Sequence, residues 1–187
     1  MMTAEMLDVQ QPFRLAMRRM AATVCIVTTR NAGIAYGMTA TSVTALSMDP
    51  PSLMVAINQA ASIHEPLLKV GAFWINLLRD DHDNECAVFS GKVKGPDRFQ
   101  SGAWLDRHDI PRLLDAQANI YCRIAKTIPF ATHTIVIGSV AEAVSGEEVN
   151  PLIFLNGKGT DIRKSWQSRR LALSAPELAA CKPCLQI

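Results

Sequence analysis

The chain has 187 residues, with 19 Lys and Arg against 17 Asp and Glu and a formal net charge of +2, which suits one domain whose core needs no disulfide or metal support. The cations are interspersed along the sequence and form no basic stripe, which argues against nucleic acid as a partner. Acidic residues precede any apolar run in Met1 to Asp8, and no stretch of about eighteen apolar residues occurs, so neither a secretory signal nor a membrane span is expected.

Pro12 to Met20 reads as an amphipathic helix with proline in its first turn: Phe13, Ala16, Met17 and Met20 recur at helical spacing, and Arg14, Arg18 and Arg19 take the other side. Thr23 to Thr29 is β-branched through its centre, Arg30 to Gly33 supplies a turn, and the chain resumes as a strand from Ile34 to Ser47, giving a hairpin. Asp49-Pro50-Pro51 interrupts the ladder, and Ser52 to Asn58 returns as a buried strand. A short helix over Ser62 to Leu68, closed by Gly71, precedes a strand over Phe73 to Leu77. Asp80 to Ser90 reads as a helix with acidic residues in its first turn and Gly91 as its stop.

Gly91 to Pro111 is rich in Gly, Asp and Pro and reads as a loop with one helical turn. Two long strands follow, Ala116 to Thr127 and His133 to Val144, and a last strand over Pro151 to Leu155 ends at Asn156-Gly157. Helices are too few for a doubly wound sheet, so the expectation is a mainly β protein, an antiparallel barrel with peripheral helices. One domain is expected over residues 1–166, with residues 167–187 as a tail. The five cysteines include Cys25, Cys86 and Cys122 in apolar stretches, where a small buried thiol is the plain reading and a reducing cytoplasm fits. A 49% hydrophobic content predicts that part of the surface lies against a second copy in a homodimer.

Four stretches carry candidate chemistry. Gly37 to Ser47 is extended, nearly uncharged and rich in hydroxyls, which suits close approach of a flat, neutral ring system; an ordinary Thr-rich strand accounts for the same residues. Asn58 to Ser62 ends a strand in an amide and places Ser62 as a helix N-cap, where free N–H groups favour phosphate; taken alone, Ser62 serving only as its own helix's cap is the simpler account. Phe89-Ser90-Gly91-Lys92, with Arg98 and Phe99 further on, offers cations for phosphates and aromatics for a base. His133 opens a strand directly after Pro129 to Thr132, a position more often structural than chemical. Asp81, His82, Asp83 and Glu85 are adequately explained as the acidic opening of a helix, and Cys181-Lys182-Pro183-Cys184 has no second CxxC or paired histidines to complete a zinc site.

Taken in order, FRLAMRRMAATVCIVTT, GMTATSVTALSMDPPSLMVAIN, ASIH, FWINLL, FSG and HTIVIGSV resemble the flavin reductase-like family, whose fold is the Greek-key FMN-binding split barrel. The resemblance covers about Phe13 to Gly157, and the run from Gly37 to Asn58 is its specific part. It implies an NAD(P)H-dependent flavin reductase, with FMN or FAD as flavin and NADH or NADPH as donor, supplying reduced flavin to a transient oxygenase partner. By the same resemblance, Thr39, Ala40, Thr41 and Ser42 lie along the isoalloxazine and ribityl chain. Asn58 and Ser62 help to hold the flavin and its phosphate, Ser90 and Gly91 lie near the nucleotide with Arg98 and Phe99, and His133 sits beside the nicotinamide. Phe154, Asn156 and Gly157 fall where the last strand closes that pocket. Family members often carry Gly-Asp before the histidine, where this chain has Ala131-Thr132. The competing readings are a split-barrel oxidase of the pyridoxamine phosphate oxidase type and a non-catalytic flavin- or haem-binding module.

Overall fold

The computed structural model describes residues 4–161; the proposed tail and its two cysteines lie outside them. Helix α1 spans Ala4–Met17, so Pro12 stands inside it and not in its first turn. An interior proline removes a hydrogen bond and costs about 3 kcal/mol, which is why the residue pattern places a boundary there. Val9, Phe13, Leu15, Met17 and Met20 are all exposed.

Strands β1 (Ala22–Thr23), β2 (Cys25–Asn31), β3 (Ile34–Ala40), β4 (Val43–Met48) and β5 (Pro51–Asn58) follow. The single strand expected over Ile34 to Ser47 is therefore two. β3 pairs with β2, whereas β4 turns away and pairs with β5, and propensity, which is continuous through the segment, does not register a change of partner. Asp49 and Pro50 form a turn and do not break the ladder, because Met48 and Pro51 are themselves paired.

Helix α2 (His64–Val70) is closed by Gly71 as expected, but its N-cap is Ile63, with no side-chain cap. Ser62 therefore lies one residue outside the cap it was expected to form. After β6 (Ala72–Leu77) comes α3 (Asp83–Ala87), shorter than the helix expected from Asp80, then a π-helical turn over Val88–Lys92 and a 3-10 turn over Pro96–Gln100. Buried His82 explains the late start of α3: its Nδ1 accepts from the Arg79 N–H at 3.2 Å. The stretch expected to be a loop also contains a hairpin, β7 (Trp104–Arg107) with β8 (Ile110–Leu113). Strands β9 (Ala118–Phe130) and β10 (His133–Ser145) pair as far as Phe130 and His133, so Ile128-Pro129-Phe130 belongs to the ladder and only Ala131 and Thr132 turn. The last strand expected is β11 (Leu152–Leu155), and a further strand, β12 (Lys158–Asp161), pairs with it across Asn156-Gly157.

Seven strands form one antiparallel sheet in the order β3-β2-β6-β9-β10-β5-β4. Its two edge strands, β3 and β4, are consecutive in the chain and are joined only by Thr41 and Ser42. The sheet must therefore curl until its edges meet at those two residues, and beyond them the edges diverge. This is the antiparallel split barrel that the sequence implied. A three-stranded sheet, β1-β11-β12, and the β7-β8 hairpin stand beside it.

Alternation along β2 feeds two of the buried clusters. Cys25 and Val27 of β2 join Val55, Ile57, Phe73, Ile75 and Val136 in one, which Ile63 and Leu67 at α2 also enter. Val24 and Ile26 join Leu78, Val88, Phe89 and Leu113 in the other.

Candidate functional site

At the point where the edges meet, Thr41 and Ser42 belong to neither ladder: pairing on β3 ends at Ala40 and on β4 starts at Val43. Both are exposed. The Ser42 hydroxyl donates to the Ala56 carbonyl at 2.9 Å, which ties the break to β5. Thr39, the residue before the last of β3, places its Oγ1 2.9 Å from Ser90 Oγ, across 51 residues of sequence. Gly91 makes that approach possible by taking φ +115, a conformation in which side-chain-bearing residues are strained, and so folds the turn after Phe89 back on itself.

Two residues beyond Ala56, Asn58 is the ladder partner of His133, so the two side chains leave the same face of the sheet. Asn58 Oδ1 accepts from the Ala60 N–H at 2.8 Å, and Gln59 Nε2 donates to the His133 carbonyl at 3.1 Å. Thr132 Oγ1 lies 2.9 Å from His133 Nδ1, and Ala131 turns the chain with φ +49. The Ala131-Thr132 pair that departs from the family pattern is therefore a tight turn whose hydroxyl orients the imidazole. His133 itself is exposed.

Ser62 lines a hollow of about 260 Å³ with Tyr36, Gly37, Pro96 and Arg98. The Arg98 guanidinium donates to the carbonyls of Gly37 and Val93 and lies 5.8 Å from the centre of the Phe89 ring. Burial lowers its pKa. Phe99 packs edge-on against Phe89 at 5.1 Å and against Trp104 at 5.0 Å. Both residues are thus engaged with the protein itself.

The structure links the expected site residues in small groups: Thr39 with Ser90, Ser42 with the Ala56 carbonyl two residues from Asn58, Asn58 with His133, and Ser62 with Arg98 around one hollow. Phe154, Asn156 and Gly157 contact β1 and Arg18. Phe154 pairs with Ala22, the Asn156 N–H donates to the Arg18 carbonyl at 2.8 Å, and Gly157 faces the Arg18 guanidinium. Their sheet adjoins Val24 and Leu78 through Leu152, next to Cys25, the ladder partner of Ala40. Gly37, Gln59 and Thr132 are not among the expected site residues, although each falls in a stretch the sequence marks: the hydroxyl-rich run, Asn58 to Ser62, and the Ala131-Thr132 departure.

The chain matches the family model of the flavin reductase like domain over residues 17–163. It belongs to the flavin reductase-like family. Among curated members of that family, it is 42% identical over 154 residues to the reductase component of an FADH2-dependent resorcinol hydroxylase from Rhizobium sp. strain MTP-10005, covering 80% of this chain and 86% of the relative. It is 32% identical over 143 residues to the FMN reductase (NADH) RutF of Methylorubrum populi, covering 76% of this chain and 71% of that one. The solved styrene monooxygenase flavin reductase of Pseudomonas putida S12 superposes with a TM-score of 0.72 at 28% identity, over 80% of this chain and 96% of that structure. Among the described residues, no helix is long and apolar enough to cross a membrane.

Proposed function

We propose that this flavin reductase-like chain transfers hydride from NADH or NADPH to FMN or FAD and supplies the reduced flavin to a separate oxygenase. The carrying observation is the hydroxyl-lined break at Thr41-Ser42, flanked by the paired Thr39 and Ser90 and standing beside the Asn58–His133 row. The fit to a flavin is chemical: hydroxyls and unladdered peptide groups are what a neutral ring edge and a ribityl chain hydrogen-bond, and no charged side chain stands at Thr39 to Ser42 to oppose an uncharged ring. The name of the resorcinol hydroxylase component supports an oxygenase as the recipient.

A bound flavin supplies the hydride acceptor, so the protein's task is to hold and orient. Thr39, Ala40, Thr41 and Ser42 would lie along the ring and ribityl chain, Asn58 and Ser62 would help to hold the flavin and its phosphate, and Ser90 and Gly91 would stand near the nucleotide. His133, its Nδ1 against the Thr132 hydroxyl, would have Nε2 left to orient the carboxamide of a nicotinamide, whose bound form would supply the hydride.

One split-barrel domain over residues 1–166 does this work, with residues 167–187 as a tail. A homodimer is supported by exposed apolar side chains on α1 and on the edge strand β4, including Phe13, Leu46 and Met48, and by a hollow of about 420 Å³ bordered by β4, lined by Cys25, Val43, Met48, Leu53 and Ile120. Free thiols at Cys25, Cys86 and Cys122 support the cytoplasm as its location.

The test is spectrophotometric oxidation of NADH and of NADPH with FMN and with FAD. Flavin-dependent consumption, with hydrogen peroxide formed when no oxygenase is present, is the expected result, and the four combinations identify donor and flavin. No consumption with either flavin overturns the proposal.

A further inference from the structure

β3 is an edge of the large sheet, and the segment from Phe89 to Phe99 is packed on it. Gly37 lies at the centre of that contact. A Cβ there would come within 2.6 Å of Phe89 Cε1 and 3.3 Å of Phe99 Cζ, the first a separation that packed atoms do not tolerate. Phe89 is 3% exposed and is held from behind by Phe99 and Trp104, at 5.1 and 5.2 Å between ring centres. It therefore has little room to retreat.

The backbone of the same glycine is used as well. Its carbonyl accepts from Arg98 Nη1, while Arg98 Nη2 donates to the Val93 carbonyl at 3.0 Å. The guanidinium thus ties the strand to the loop between the two phenylalanines. Two residues along β3, on the same face, Thr39 meets Ser90 at 2.9 Å. Gly37 faces Phe89 and Thr39 faces Ser90, so the two contacts are in register, and how closely the first pair approaches sets the distance of the second.

We propose that Gly37 and Arg98 are positioning residues for the flavin: the missing side chain and the bridging guanidinium seat the Phe89–Phe99 segment on β3 so that Ser90 stands beside the Thr39 to Ser42 break. This rests on the reading of the chain as a flavin reductase. It assigns Arg98 a task other than neutralising phosphate, since two of its N–H groups are committed to backbone carbonyls, and it leaves the exposed Lys92 as the cation of that turn.

Titration of flavin fluorescence tests this directly, alongside steady-state oxidation of the reductant and circular dichroism to show that each variant is folded. Gly37→Ala raises the flavin Kd by about tenfold or more, with kcat at saturating flavin and KM for the reductant within about twofold of wild type. Adding Phe89→Leu to Gly37→Ala makes room for the new methyl group and returns the Kd to within about threefold of wild type. Arg98→Lys and Arg98→Met weaken flavin binding equally, because neither bridges two carbonyls.

A folded Gly37→Ala protein with wild-type affinity overturns the proposal. So does an Arg98→Lys variant that keeps wild-type affinity while Arg98→Met loses it, which would make Arg98 a phosphate cation. Should Gly37→Ala fail to fold, the two Arg98 variants decide alone. A wild-type protein that binds neither flavin overturns the functional reading along with this one, whereas an active wild type with an unaffected Gly37→Ala variant removes only the positioning role.

Discussion

His133 and Asn58 face each other across the β10–β5 ladder, which places an imidazole and a carboxamide side by side at the end of the split. Asn58 is already turned to the Ala60 N–H, so the imidazole is the freer of the two. Replacing His133 with Ala is expected to raise the KM for the nicotinamide by about tenfold, the scale of one lost hydrogen bond, with a much smaller effect on flavin affinity. Thr132→Val, which removes the contact to Nδ1, shifts the same constant in the same direction by less. Measuring both constants for both variants checks this, and wild-type values throughout for His133→Ala exclude the role.

Asn76 joins three parts of the fold. Its Nδ2 donates to the Ile26 carbonyl at 2.9 Å, and its Oδ1 accepts from the Leu113 N–H at 2.9 Å and from Asn119 Nδ2 at 3.0 Å. The residue is 0% exposed, so Asn76→Ala leaves buried donors and an acceptor without partners at a cost of about 3 kcal/mol. Denaturant unfolding should show the lower midpoint. A midpoint equal to wild type would mean that the β7-β8 hairpin is held by its apolar contacts alone.

Gly138 sits where the β9–β10 register shifts. A Cβ at this position would lie 2.8 Å from Cys122 Cβ and 2.8 Å from Phe73 Cζ, both fully buried. Gly138→Ala is therefore expected to destabilise the protein by about 1 to 3 kcal/mol. Cys122→Gly in the same chain should recover part of that loss, and thermal melts of the single and double variants measure it.

Burial pushes the thiols of Cys25 and Cys122 up to about 12 from an ordinary 9.0. The native state keeps these protons where the unfolded chain releases them. Their contribution to stability is therefore intact below pH 9.0 and is lost as the pH rises from there towards 12. At pH 8, alkylation by iodoacetamide at these two positions should be at least about a hundredfold slower in native than in unfolded protein. Site-resolved mass spectrometry reads this out, and equal rates would show that the inner core opens readily.

Much of the architecture is legible in local chemistry. The β-branched run in Cys25–Asn31 and the alternating apolar residues Leu53, Val55 and Ile57 of Pro51–Asn58 form strands because such side chains pack well on a pleated surface, and Gly71 ends α2 because the backbone there is left-handed. The β7-β8 hairpin is hidden because Leu105, Asp106 and Arg107 face solvent and Pro111 sits in the partner strand. Its contacts to Asn76, Thr28 and Arg30 come from residues 37 to 83 positions away in sequence. β12 is hidden for a related reason: a four-residue strand with Gly159 in it has no alternating pattern of its own and exists because β11 offers an edge.

The candidate site divides in the same way. Composition alone marks Gly37 to Ser47 as uncharged, small and rich in hydroxyls, and the ordered motifs identify the family, because these depend on residue type and sequence spacing. What only folding decides is that this run breaks at Thr41-Ser42, that Ser90 comes to Thr39 and His133 to Asn58, and that Phe154 pairs with Ala22. Each of these follows from which strand pairs with which, and pairing is set by burial summed over the whole sheet, a quantity that no single segment contains.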